Sequence, residues 1–196
     1  QLNGWSMECR INAEDPFRGF LPSTGRLVKF QPPKETTDAN GTTRVDTGVY
    51  DGGEISMFYD SMIAKLIVHA KDRDSAIERM RDALNGFVIR GISSNIPFQA
   101  ALMQHKRFQS GNFNTGFIAE EYPKGFDASM VPHDDPALLV SVAAYVYRAF
   151  TDRSASITGQ LQGHERLVSD NWMVVRLDAA GNQHHPVTAR LVDGGY

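Results

Sequence analysis

The most constraining feature of the chain is an alternating run near its start, MECRINAE, from Met7 to Glu14. Its apolar side chains occupy every second position, so in an extended backbone Met7, Cys9, Ile11 and Ala13 all point to one side. The polar residues between them point to the other side. This period of two predicts a half-buried β-strand, as in antiparallel sheets with one face on a core and one face in solvent.

Further segments predict an α+β protein, in which an antiparallel sheet has flanking helices. The predicted strands are Arg26–Gln31, Arg44–Tyr50, Ile63–Ala70 and Val88–Ile92. One helix is expected after a cap at Asp72, and Asn95 and Pro97 open a second. The apolar face of the first helix consists of Ile77, Met80 and Leu84. The polar segment 34–43, which contains Asn40-Gly41, predicts an exposed loop or a hairpin tip.

A change in composition after Phe117 indicates two domains. Residues 120–135 are rich in proline, glycine and acidic side chains, which is typical of a linker. We therefore predict a boundary near Phe126, with a first domain at 1–126 and a second at 127–196.

The second domain opens with a helix that Asp135-Pro136 begins and that runs to about Thr151. This helix is apolar on several sides, which is typical of a helix wrapped by other structure. Two segments after it predict a hairpin: Trp172–Leu177 and His185–Val192, joined through a turn at Ala180-Gly181-Asn182.

Composition excludes several classes of protein. A hydrophobic share of 41% allows a packed core, and a net charge of −3 gives no footprint for nucleic acid or an anionic membrane. No apolar run approaches the roughly 20 residues needed to span a bilayer. Cys9 is the single cysteine, so an internal disulfide or a thiolate metal cluster is impossible. These features fit a reducing compartment, either the bacterial cytoplasm or an organelle matrix.

Most catalytic signatures are missing from the sequence. It has no phosphate-binding G-x-x-x-x-G-K-[ST], no H-E-x-x-H and no G-x-S-x-G. His184 and His185 are adjacent in a predicted strand and face opposite sides, so no metal site is expected there. Cys9 lies on the apolar face of its strand, which predicts a buried, inert thiol.

The polar face of the first strand carries Arg10 between two carboxylates, Glu8 and Glu14. Two interpretations stay open from the residues alone. The face can be solvated, with cross-strand ion pairs, or the carboxylates can hold Arg10 rigidly toward an anionic substrate, which its planar fork suits. Asp60 allows the same choice, between a turn residue at the start of a strand and an acid close to a site.

Four segments resemble the C-terminal subdomain of biotin carboxylases. They are ECRINAEDPFRGFLPSTGRL (Glu8–Leu27), FYDSMIAKLIVHAKDRDSAIERMRDAL (Phe58–Leu84), GISSNIPFQAAL (Gly91–Leu102) and FNTGFIAEEY (Phe113–Tyr122). Among these enzymes, DTGVYDGGEISMFYDSMIAKLI and GFIAEEYPKGF are most similar to the alpha subunits of propionyl-CoA carboxylases. Residues 135–196 resemble the start of the domain that follows in that family, a long helix wrapped by antiparallel β-barrel strands.

The resemblance implies a ligase that forms carbon–carbon bonds. In the family, ATP activates bicarbonate, biotin accepts the carboxyl group, and a partner subunit transfers it to propionyl-CoA. The position that matches Arg10 contacts biotin and bicarbonate and stabilises negative charge on the ureido oxygen. Glu8 and Glu14 are hypothesised to orient Arg10, and Asp60 to lie nearby. The resemblance therefore implies that the polar face of the first strand, which carries Arg10, is part of the site for biotin and bicarbonate.

The family's ATP-grasp region, which binds ATP and Mg²⁺ or Mn²⁺, is expected to precede Gln1, and its biotin carrier to follow Tyr196. The chain alone is therefore expected to be inactive. The expected partners are the carboxyltransferase beta subunit and the biotin carrier domain, with no nucleic acid and no membrane. An alternative is a non-catalytic scaffold and interaction module that docks the carboxyltransferase. Acetyl-CoA and methylcrotonyl-CoA stay open as substrates, and the location is the bacterial cytoplasm or the mitochondrial matrix.

Overall fold

A computed structural model describes residues 3–132, 135–159, 163, 166–178 and 181–190. The predicted turn residue Ala180 and the predicted strand end at Val192 lie outside these residues. The chain divides into two compact units, residues 1–132 and residues 133–196. The first of these is unit 1 and the second is unit 2.

Unit 1 combines short and long strands with four helices in its described part. Its strands are β1 (Trp5–Asn12), β2 (Glu14–Asp15), β3 (Leu21–Pro22), β4 (Gly25–Arg26), β5 (Lys29–Gln31), β6 (Thr36–Asp38), β7 (Gly41–Thr47), β8 (Glu54–Ile55), β9 (Met62–Ala70) and β10 (Val88–Arg90). Its helices are α1 (Arg73–Asn85), α2 (Ile96–Gln104), α3 (Lys106–Gln109) and α4 (Phe117–Glu121), with 3-10 turns at Pro16–Arg18 and Ala128–Met130.

The main sheet has the strand order β1-β9-β7-β6, and every pair in it is antiparallel. Cys9 lies opposite Leu66 and Arg10 opposite Lys65. The polar segment predicted as a loop or a hairpin tip is the β6–β7 hairpin, which turns at Ala39-Asn40. Gly41 begins β7 with φ +140°, and a Cβ there would collide with the carbonyl oxygen of His69 on β9, so this position requires glycine.

Helices α1 and α2 cover one face of this sheet. The strand side chains on that face include Ile11, Leu66 and Val68, all with 0% exposure. The predicted apolar face of α1 is confirmed, since Ile77, Met80 and Leu84 are buried in the same cluster. The predicted cap is confirmed as well: the Asp72 carboxylate accepts a hydrogen bond from the Ser75 N–H at 2.8 Å. The alternation of β1 thus reflects a sheet with one buried and one solvent-facing side.

Unit 2 contains α5 (Pro136–Ala155), β11 (Asn171–Asp178) and β12 (Gly181–Thr188). The helix begins as predicted, with the Asp135 carboxylate accepting from the Ala137 N–H at 2.8 Å, and it runs beyond Thr151. The second strand of the hairpin begins at Gly181, earlier than predicted, because it pairs with β11 from the turn onward. Among the described residues the two strands form one hairpin and no closed barrel.

The buried side of α5 consists of Val140, Ala144, Arg148 and Thr151. A stripe with a spacing of four residues, Leu138, Val142, Val146 and Phe150, is exposed by 49% to 67%. No helix in the described part of the chain is long and apolar enough to cross a membrane.

Arg148 is a charged residue on the buried side of α5, with 7% exposure. Its guanidinium donates to the carboxylates of Asp152 at 2.8 Å and Asp170 at 2.7 Å, and to the backbone oxygens of Ser169 and Ala189. The hydrogen bonds from the two carboxylates, first Asp152 and then Asp170, raise the pKa of Arg148 above its usual range. The residue therefore stays charged and ties the helix to the open end of the hairpin, where β11 begins and β12 ends.

The central strand β9 makes a stability prediction possible. We expect Leu66→Ala to lower the free energy of unfolding by about 2–5 kcal/mol, because it leaves a cavity beneath the sheet. Urea unfolding followed by circular dichroism measures this. Leu21→Ala is the control, since Leu21 is 50% exposed, and a change beyond about 0.5 kcal/mol is not expected there. Equal losses in the two variants would contradict the placement of Leu66 in the core.

Candidate functional site

Arg10 lies on the solvent face of the main sheet. Its side chain is 68% exposed, and its Nε lies 3.3 Å from Oε1 of Glu8, two residues earlier on the same face. On the neighbouring strands this face carries Lys65 opposite Arg10 and, beyond it, an ion pair between Arg44 and Asp46 at 3.0 Å. Within the described residues, the two terminal nitrogens of Arg10 make no hydrogen bond. A planar pair of donors is therefore presented to solvent, in the arrangement that suits a carboxylate-like anion.

The other predicted carboxylate, Glu14, lies away from the Arg10 guanidinium. Its Oε1 accepts from Nδ2 of Asn12 at 3.0 Å and from Oγ of Ser61 at 2.5 Å. The backbone adds a second tie, because the Ala13 N–H donates to the Ser61 carbonyl at 2.7 Å. Glu14 thus joins the end of β1 to the segment that leads into β9.

Asp60 belongs to the same segment. Its Oδ1 accepts from the Met62 N–H at 3.0 Å and so shapes the turn that starts β9. Met62 is the register partner of Asn12, which brings Asp60 to the end of β1. Asp60 therefore shapes this turn and also lies beside the end of β1.

Two amide side chains from α2 contact the backbone of β1, and sequence reasoning missed both. The Asn95 amide donates to the Arg10 carbonyl at 3.0 Å and accepts from the Asn12 N–H at 2.9 Å. The Gln99 amide donates to the same Arg10 carbonyl at 2.6 Å. The partners lie 83 to 89 positions apart in the chain, so no local pattern connects them. The available signal, Asn95 before Pro97, is typical only of a helix start.

Cys9 points to the opposite face and is buried, as predicted, with 7% exposure. Burial first, and the negative charge of Glu8 second, raise the pKa of the Cys9 thiol to about 12. A thiol of this kind is protonated at neutral pH and is a poor nucleophile. The described residues also contain no group of three or more His, Cys, Asp or Glu side chains that could hold a metal ion. Of the two charged side chains on β1, Glu8 and Arg10, the guanidinium is the one whose donors suit an anion.

Comparison with known proteins identifies the family of the chain. Residues 8–120 match the family described as the biotin carboxylase C-terminal domain, and residues 139–195 match the propionyl-coenzyme A carboxylase BT domain. The chain belongs to the biotin carboxylase C-terminal domain family. All four predicted site residues of unit 1 lie inside the matched range.

Several relatives of this biotin carboxylase domain are alpha chains of propionyl-CoA carboxylase. The chain is 45% identical to that of Ruegeria pomeroyi over 189 residues, which covers 89% of the chain and 28% of the relative. It is 40% identical to the mitochondrial one of Homo sapiens over 155 residues, which covers 79% of the chain and 21% of the relative. The chain therefore spans about a quarter of the length of the relatives it matches. These relatives include bacterial and mitochondrial proteins.

Solved biotin carboxylase structures share the fold. The biotin carboxylase domain of Hydrogenobacter thermophilus 2-oxoglutarate carboxylase, solved with MgADP, ADP and bicarbonate, is 38% identical with a TM-score of 0.59. The match covers 69% of this chain and 27% of that one. The biotin carboxylase subunit of a pyruvate carboxylase is also 38% identical, with a TM-score of 0.58 over 69% of this chain and 28% of that one. The resemblance proposed from the four sequence segments is confirmed.

The buried thiol predicts how stability depends on pH. The pKa of Cys9 is raised in the folded state to about 12 from its ordinary value of 9.0. The stabilising contribution of the buried, neutral Cys9 thiol is therefore complete below pH 9.0 and is lost as pH rises toward 12. Relative to Cys9→Ala, the free energy of unfolding of the parent is expected to fall by about 1.4 kcal/mol per pH unit in this window. Denaturant titrations at several pH values measure it, and parallel pH curves for the two proteins would contradict the burial.

Proposed function

We propose that this chain is part of the alpha subunit of a biotin-dependent acyl-CoA carboxylase, with propionyl-CoA as the acyl substrate. The reaction is a ligation that forms a carbon–carbon bond. The observation that carries the proposal is Arg10, a solvent-facing guanidinium held at its Nε by Glu8, inside a domain of the biotin carboxylase family. The substrate class is supported by the names of the alpha-chain relatives.

Arg10 supplies the electrostatic part of the reaction. Biotin, once bound, would supply the ureido nitrogen that takes up the carboxyl group of bicarbonate activated by ATP, and phosphate would be the leaving group. The Arg10 guanidinium binds bicarbonate and donates to the ureido oxygen as negative charge develops there. A fixed donor that is in place before the reaction starts needs no reorganisation when the charge appears. Its exposed terminal nitrogens suit both anions, because a guanidinium donates in a planar fork.

The neighbouring acids have positioning roles in this proposal. Glu8 orients Arg10 through Nε and leaves the terminal nitrogens for the substrate. Glu14 acts on the strand and not on the guanidinium, because its contacts are Asn12 and Ser61. Asp60 holds the turn at the start of β9 and contributes negative charge beside the end of β1.

The remaining components come from other parts of the protein. We propose that an ATP-grasp region binds ATP with Mg²⁺ or Mn²⁺, that a biotin carrier domain delivers biotin, and that a carboxyltransferase beta subunit receives the carboxyl group. The chain by itself is then inactive. We propose the bacterial cytoplasm or the mitochondrial matrix as its location, in line with its relatives.

Replacement of Arg10 tests the proposal directly. In the full-length alpha subunit, Arg10→Ala is expected to lower the turnover of ATP cleavage that depends on both biotin and bicarbonate by about 100-fold or more, the scale of losing one oxyanion donor. Arg10→Lys is expected to recover little of this, because an ammonium lacks the planar fork. The measurement is steady-state ADP release with and without biotin.

Arg44→Ala is the matched control for Arg10. Arg44 lies on the same face, is 61% exposed and is likewise paired with a carboxylate two residues away, Asp46. Its loss is expected to leave the turnover close to that of the parent. Activity of Arg10→Ala within a few-fold of the parent, with unchanged thermal unfolding, would refute the catalytic role of Arg10.

We propose a second role for unit 2, that of docking the carboxyltransferase subunit. Support comes from the match of residues 139–195 to the propionyl-coenzyme A carboxylase BT domain and from the exposed apolar stripe on α5. A stripe of four apolar side chains along one helix favours burial against further protein.

Deletion separates this role from catalysis. Removal of residues 133–196 from the full-length alpha subunit is expected to abolish co-elution with the carboxyltransferase on a sizing column. Biotin-dependent ATP cleavage is expected to persist, because unit 1 has its own core. The deletion starts at His133 and not after Phe126, since Val131 packs on the cluster that contains Phe126. Arg10→Ala gives the reciprocal control and should still co-elute; co-elution of the deletion variant would exclude unit 2 as the docking element.

A further inference from the structure

We infer that Asn95 is a positioning residue for the carboxylation of biotin and acts through the backbone of Arg10. Gln99 supports it by binding the same Arg10 carbonyl. This inference rests on the proposed function, because it assigns Asn95 a role only if Arg10 acts on the substrate. It concerns residues that lie on another element of the fold, at the start of α2.

Asn95 lies at the open edge of the main sheet. β1 is the outermost strand of the main sheet, so one side of its backbone has no neighbouring strand in the order β1-β9-β7-β6. The Arg10 carbonyl and the Asn12 N–H both point to that side, and the Asn95 amide binds both of them. A side-chain amide offers the same donor and acceptor as a peptide group, so Asn95 takes the place of a missing strand at this one position. The backbone adds a third bond, from the Asn95 N–H to the Asn12 carbonyl at 3.1 Å.

The Asn95 side chain is turned away from its own helix. It occupies the N-cap of α2, where asparagine ordinarily binds an N–H of its own helix. Within the described part of unit 1, its side chain makes no such capping bond. Its amide is turned to β1, and the residue is only 8% exposed. The side chain thus serves the strand at the expense of its own helix.

Helix α2 is itself held rigidly by aromatic packing. Phe98 is 6% exposed and packs edge-to-face against Phe20 and Phe126, with ring centroids 5.0 and 5.3 Å away. Asn95 and Gln99, on either side of Phe98, are one helical turn apart and both donate to the Arg10 carbonyl. The aromatic anchor therefore fixes the two amides, and the amides fix the backbone from which the Arg10 side chain projects.

A catalytic arginine needs this support because its position has to be precise. A catalytic group has to be held within about 0.5 Å of its productive position, and a displacement of 1 Å can cost on the order of 100-fold in rate. Glu8 touches Arg10 at the far end of a long, exposed side chain. The Asn95 and Gln99 amides act at its base, where a change of backbone direction is amplified along the side chain.

The test is a double-substitution cycle in the full-length alpha subunit. Asn95→Ala is expected to lower kcat for biotin-dependent ATP cleavage by about tenfold, with a smaller change in KM for ATP. In the Arg10→Ala background, the same substitution is expected to change kcat by less than about twofold, because its effect passes through Arg10. Asn95→Asp keeps the acceptor for the Asn12 N–H and loses the donor to the Arg10 carbonyl, so it tests that donor separately.

Asn114→Ala is the matched structural control. The Asn114 side chain accepts from the Gly116 N–H at 2.7 Å and so caps a turn in the same unit. It is expected to lower the unfolding temperature less than Asn95→Ala does, because Asn114 is exposed, and to leave kcat unchanged. Should Asn95→Ala fail to fold, Gln99→Ala takes its place, with an expected loss of about threefold from the weaker of the two supports.

The outcomes separate this inference from the proposed function. Full activity of Asn95→Ala beside a strong loss in Arg10→Ala would overturn the positioning role and leave the function of Arg10 standing. Equal losses from Asn95→Ala with and without Arg10 would also overturn it, because they would indicate a structural effect only. An active Arg10→Ala would remove the proposed function itself, and the role of Asn95 with it.

Discussion

Antiparallel pairing of β1 with β9 is the constraint on which unit 1 depends. Its register sets Cys9 against Leu66 in the core and Arg10 against Lys65 in solvent. A slip by one residue would exchange the two faces, burying the guanidinium and exposing the apolar side chains. An unpaired charge in the core is far costlier than the loss of one ladder bond. The burial of Ile11 and Leu66 therefore decides, indirectly, that Arg10 faces outward.

The register alone does not hold Arg10 in place, because β1 is an edge strand with one unpaired side. Proteins cover such edges in several ways, since open strand edges invite unwanted pairing. Here the cover is a pair of amide side chains from α2, which bind the backbone at Arg10 and Asn12. The same contacts protect the edge and give the arginine a rigid base. One set of hydrogen bonds thus links the stability of the sheet to the backbone position of Arg10.

Unit 2 follows a different principle, in which a charged residue organises the packing. Arg148 lies on the buried side of α5 and is bound by Asp152, Asp170 and two backbone carbonyls. Burial of a guanidinium is tolerable because each contact compensates for lost hydration. Ala144, one turn earlier, is buried on the same side of the helix. The larger apolar residues of α5 are left on the exposed side, which fits a helix that packs against further protein.

By itself, the sequence determined the local elements and the family. Alternation from Met7 to Ala13, the caps at Asp72 and Asp135 and the Asn40-Gly41 hairpin all depend on neighbouring residues, so a linear pattern reveals them. Tertiary structure alone decided the long-range contacts: which side of α5 is buried, where Glu14 points, and that Asn95 reaches back to Arg10. The physical reason is that an amide or a carboxylate can satisfy its hydrogen bonds with many partners. Only the packing of α2 and β9 around β1 selects one of them.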